Sequence, residues 1–142
     1  MLEPTYLLLC SKVIVDKDTG ATSLIELVDM ARVPDPPPVD GLAPASLELC
    51  IVSGWRRDSA TEPLTFPIRF ALFGPQGDRH DLGEQQVRLV PNHLGIVVAR
   101  VRGLPVDGPG QYRLGVEWLD PHETAWKPGP WAGLWIETAG NA

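Results

Sequence analysis

A repeat of two, apolar side chains alternating with polar or second-face ones, runs through almost the whole chain. Prolines and glycines interrupt every stretch long enough to hold a long amphipathic helix, so the repeat is read as strands. In YLLLCSKVIVD (6–16), Leu7, Leu9, Val13 and Val15 share one face, while Tyr6, Leu8, Cys10 and Ile14 share the other. A strand apolar on both faces is usually a central one. KDTGAT then supplies turn residues before SLIEL, which predicts a hairpin.

Further strands are predicted at 45–53, 65–73, 86–90, 95–101, 112–119 and 131–138. Within them Phe66, Ile68, Phe70 and Leu72 align on one face, as do Tyr112, Leu114, Val116 and Trp118. VPDPPPVDG (33–41) reads as a stiff crossover between layers, because consecutive prolines remove ladder donors and fix φ. GWRRDSATEP reads as a polar loop, leaving Trp55 unassigned between core and surface. The expected fold is all-β: a two-sheet antiparallel β-sandwich, immunoglobulin-like or C2-like, with seven to eight strands in one domain over 1–142. Tyr112, two residues after Gly110 at a strand start, fits a tyrosine corner whose hydroxyl returns to upstream backbone.

Composition narrows the partners. Twelve Lys and Arg stand against eighteen Asp and Glu, an acidic balance that speaks against nucleic acid. The longest apolar run, YLLLC, is too short to span a bilayer, and MLEPTYLLLC lacks the basic region of a signal peptide, so a cytoplasmic protein is expected. Cys10 and Cys50 have no CxxC or CxxH neighbour and read as two free buried thiols.

The stretch LLLCSKVIVDKDTGATSLIEL, with Cys10, Val13, Asp16, Thr19, Gly20 and Ser23-Leu24-Ile25, resembles the opening of a family of small bacterial proteins, a domain of unknown function. PGQYRLGVEW resembles that family's P-G-x-Y-x-L strand. The resemblance implies a bacterial β-sandwich and carries no activity or site residues. Family members often have G-x-F after S-L-I, where this chain has Glu26-Leu27-Val28.

No motif for catalysis is found: there is no GxSxG, HExxH, GxxxxGK[ST] or GxGxxG. His80, His93 and His122 fall in predicted loops far apart in sequence, and a small hydrolase would need one of them beside a carboxylate in a pocket. DKDTG opens like a calcium loop, but Leu27 occupies the place of the bidentate Glu, so no metal site and no cofactor are assigned. Acidic loops at Asp78, Asp81 and Asp120 leave a C2-type convergence open.

The feature that stands out is WKPGPWAGLW (126–135), with three of the five tryptophans. Strand phase places Ala132, Leu134 and Ile136 toward the core and Trp131, Gly133, Trp135 and Glu137 away from it, with Trp126 in the turn before. The candidate surface is therefore Trp131, Trp135, Trp126 and Glu137. The expectation is a non-enzymatic interaction or assembly module, self-associating or bound to a protein partner through that surface. The alternatives are ordinary intramolecular packing and a carbohydrate- or small-ligand-binding sandwich that stacks a sugar on the indoles.

Overall fold

The computed structural model describes residues 2–33, 48–58, 62–90, 94–106 and 108–138. Nine strands occur among them: β1 (Leu2–Val15), β2 (Thr22–Leu27), β3 (Met30–Val33), β4 (Glu48–Arg57), β5 (Leu64–Phe73), β6 (Arg79–Leu89), β7 (Leu94–Arg102), β8 (Gly110–Trp118) and β9 (Lys127–Thr138). They form a four-stranded sheet ordered β2-β1-β4-β7 and a five-stranded sheet ordered β3-β9-β8-β5-β6. The chain is a two-sheet β-sandwich. No helix long and apolar enough to cross a membrane occurs among the described residues.

Two details depart from the expected architecture. The strand count exceeds seven to eight, because Met30–Val33 forms a short strand of its own. That strand pairs with β9 in parallel, whereas every other pairing is antiparallel. Residues 34–41, which the sequence predicts to be a crossover, lie outside the described residues, as does His93.

The inner faces follow the period of two. Leu7, Leu9, Leu49 and Ile51 of the first sheet meet Phe66, Ile68, Leu72, Leu114, Leu134 and Ile136 of the second, all buried. Trp55 is in this core: β4 runs through Arg57, so the first four residues of the expected polar loop, 54–57, are strand. Its ring stands edge-on to Phe66 (5.0 Å between centroids) and Trp118 (5.9 Å). Its indole N–H donates to the buried Ser53 hydroxyl at 2.9 Å, which satisfies a donor that would otherwise be costly to bury.

The β1–β2 hairpin explains the D-x-x-T-G pattern. The Asp16 carboxylate accepts the N–H of Asp18 (2.8 Å) and Thr19 (3.0 Å), and the Thr19 hydroxyl accepts that of Ala21 (3.2 Å). Gly20 takes a φ of 72°, which an L side chain adopts only at a cost. The N–H groups of Thr19 and Asp18 hold the Asp16 carboxyl below the usual range. Asp16, rather than Asp18, is thus the residue that organises the turn. Cys10 and Cys50 stand opposite each other across β1 and β4, both as free thiols, and burial pushes the Cys10 thiol up.

Candidate functional site

The outer face of the five-stranded sheet is set by alternation along each strand and by register across it. On β9 it carries Trp131, Gly133, Trp135 and Glu137; on β8, Gln111, Arg113, Gly115 and Glu117; on β5, Arg69, Ala71 and Phe73. Trp131 is 60% exposed and Trp135 44%, as strand phase predicts for side chains pointing away from the core.

The indoles do not form one continuous platform. An added Cβ at Gly133 would lie 2.9 Å from the Gln111 amide nitrogen, so the gap that this glycine leaves between Trp131 and Trp135 is filled by the Gln111 side chain. The same amide donates to the Tyr112 carbonyl at 3.2 Å. Trp135 neighbours Met30 on β3 instead, and its backbone N–H donates to the Asp29 carbonyl at 2.8 Å. Glu137 pairs with Arg32 at 3.5 Å across the parallel β3–β9 ladder. Trp126 is half-buried, with the Arg69 guanidinium 4.1 Å from its ring centroid. Of the four candidate residues, Trp131 lines a concavity on this face.

That concavity is a groove of about 190 Å³ whose lining includes Ala71, Phe73, Arg113, Gly115, Glu117 and Trp131. Ladder pairing puts Asp81, Ala71, Gly115 and Trp131 in one row across β6, β5, β8 and β9. Two small residues, Ala71 and Gly115, therefore lie side by side and form the floor. On one side, Arg113 has its guanidinium 4.9 Å from the Phe73 ring centroid and 5.5 Å from that of Trp131. On the other, Glu117 accepts from Arg69 Nε at 3.2 Å and from Arg79 Nη2, while Arg79 Nε reaches Asp81 at 2.9 Å. Partial burial pushes the Glu117 carboxyl up, but hydrogen bonds from Arg79 and Arg69 outweigh it and hold the group below the usual carboxylate range.

Sequence reasoning found Trp131 but missed Phe73, Arg113, Gly115 and Ala71. The signal was present as outward phase, in Arg113-x-Gly115-x-Glu117 and Arg69-x-Ala71-x-Phe73. What it lacked was the register that brings the two triplets together.

One histidine departs from the expectation of separate loops, and His122 agrees with it. His80 lies in β6 and its Nε2 is 2.6 Å from Asp78 Oδ2. Asp78 closes the β5–β6 turn, its carbonyl accepting the Gly74 N–H at 2.9 Å. No serine, threonine or cysteine is among the described residues lining the adjacent cavity of about 560 Å³, so the pair has no nucleophile to activate there. His122 sits in a turn where its own backbone N–H donates to the Asp120 carboxylate at 2.9 Å. Among the described residues no three His, Cys, Asp or Glu side chains are grouped to hold a metal ion.

No family model matches the chain. No curated protein matches it either. Solved structures do, among them the crystal structure of the C-terminal domain of wzt, at 11% identity and a TM-score of 0.46, covering 98% of this chain and 75% of that one. A likeness of that degree bears on neither function nor ligand.

Proposed function

We propose that the protein is a non-enzymatic interaction module whose recognition surface is the outer face of the five-stranded sheet. The observation that carries this reading is the outward placement of Trp131 and Trp135, 60% and 44% exposed, on a face that also holds the Arg113 groove. Large aromatic side chains and arginine are the residue types on which binding energy concentrates. The resemblance of the N-terminal pattern to small bacterial sandwich proteins belongs to this proposal as a shared fold and adds no activity. Affinity capture from the native host with the wild-type protein and with a Trp131→Ala/Trp135→Ala variant tests it. The expected outcome is a specific partner or ligand retained by the wild type and lost by the variant, with the circular dichroism spectrum unchanged. Equal retention by both proteins would overturn the reading.

A second reading, self-association, is favoured at a different place. At Trp135 the edge of the five-stranded sheet is β3 rather than β9. β7 is an edge strand, and it exposes Leu94 (63%), Ile96 (50%) and Val98 (38%) in one phase. An apolar edge strand of this kind is a template for pairing with another chain. Sedimentation velocity should give a dimer that Ile96→Lys converts to monomer; a wild-type monomer at high concentration would end this version.

A further inference from the structure

We infer that the groove over Gly115 and Ala71 binds an acidic sugar, with the apolar face of its ring on Trp131 and its carboxylate on Arg113. This rests on the reading that the outer face of the five-stranded sheet is the recognition surface, and it names the ligand class.

The groove is not a by-product of backbone need. Gly115 has no positive φ, and a Cβ there would meet only Trp131 Cβ at 3.9 Å and Phe73 Cε2 at 4.0 Å, ordinary contacts. A glycine inside a strand weakens it and often marks a site of close approach. Here the missing side chain leaves a floor with Trp131 beside it in the same row and Arg113 and Glu117 at its rim. The volume of about 190 Å³ equals that of about six water molecules, the scale of one ring rather than of a helix or a strand.

Charge selects an anion. Glu117 is taken up by Arg69 and Arg79, and Asp81 by Arg79, whereas Arg113 is exposed and makes no ion pair among the described residues. In a chain of net charge −6, the groove thus carries an unneutralised cation held between two aromatic rings. A guanidinium in that position is suited to a carboxylate, which it binds with paired, charge-assisted hydrogen bonds.

The ring chemistry favours a sugar over a peptide. Ala71 and Gly115, which form the floor, are each paired with strands on both sides, so the backbone beneath the groove is engaged in the sheet. An extended peptide lying there would find no ladder to join and would leave its own amides unpaired. A pyranose has apolar ring hydrogens on its face and hydroxyls around its edge. That division matches an indole and a small-residue floor rimmed by the Arg113 donors and the Glu117 carboxylate.

The test is a titration of tryptophan fluorescence with oligomers of galacturonate, glucuronate and sialate, each beside its carboxyl-reduced neutral counterpart. Expected is saturable binding of at least one acidic oligomer, with its neutral form at least about tenfold weaker, since a charged hydrogen bond is worth roughly that factor or more. Arg113→Gln should lose about the same factor and Gly115→Leu should abolish binding. Arg113 is exposed, so its variant keeps the test decisive if Gly115→Leu misfolds. A flat response to all three acids, equal binding of the neutral forms, or unchanged binding by Arg113→Gln overturns the inference. If the acids fail while Trp131→Ala/Trp135→Ala still loses its captured partner, the ligand class falls and the recognition surface stands; if both experiments fail, both fall.

Discussion

Trp131 stands directly across the β8–β9 ladder from Gly115, and its Cβ lies 3.9 Å from the place where a side chain at 115 would begin. The indole walls the groove, and the glycine leaves it a floor. If that glycine serves the groove and not the backbone, replacing it with alanine should cost the fold nothing. Gly115→Ala is expected to stabilise the protein by about 0.5–1 kcal/mol, because alanine has less freedom to lose in the unfolded chain. A thermal melt raised by about 1–4 °C is the readout, and a fall of the same size would show that the glycine is required by the sheet.

Tyr112 secures the start of β8 by donating its buried hydroxyl to the Gly108 carbonyl at 2.7 Å, the corner expected from the spacing after Gly110. Tyr112→Phe keeps the ring in the core and removes that bond. The loss should be about 1 kcal/mol, and more if the Gly108 carbonyl is left without water. Urea denaturation would reveal it as a lower midpoint with an unchanged slope.

Glu26 is the one described non-glycine residue with positive φ, at 54°. A left-handed conformation costs an ordinary side chain about 1–2 kcal/mol. Glu26→Gly relieves that cost and gives part of it back as unfolded-chain entropy, so a net gain of about 0.5–1 kcal/mol is expected. The Ser11 hydroxyl, which donates to the Ile25 carbonyl at 3.0 Å and to the Glu26 carboxylate at 3.4 Å, keeps only the first partner in the variant. Calorimetry on the two proteins decides the sign.

Glu117 has a folded-state pKa below its unfolded value, so its ion pairs with Arg79 and Arg69 add stability above the unfolded pKa. That contribution is lost as pH falls through the folded value. Because the pairs are partly exposed, about 0.2–1 kcal/mol each is expected. The stability difference between wild type and Glu117→Gln should therefore be constant from neutral pH to about pH 5 and shrink below about pH 4. A difference independent of pH down to acid would mean that the carboxylate charge is not what holds the two arginines.

Much of this fold is legible in the chain itself. Strand phase assigns Phe66, Ile68 and Leu72 to the core and Trp131 and Trp135 to the surface, because successive side chains of a strand point to opposite faces. The β1–β2 hairpin and the tyrosine corner are equally local, since Asp16 with Thr19 and Tyr112 with Gly108 are at most four residues apart. Trp55 escaped that reading. Its neighbours in sequence are polar, and only contact with Phe66 and Trp118 places its ring in the core.

The groove belongs wholly to tertiary structure. Ala71, Gly115 and Trp131 come from three strands, and nothing in any one of them says which residues will stand in the same row. A shift of one residue in the β5–β8 or β8–β9 register would send alternate side chains to the other face and dissolve the site. Local alternation determined which side chains face out. The long-range hydrogen-bond register decided which of them face one another, and so where an arginine, a tryptophan and two small residues make a place for a ligand.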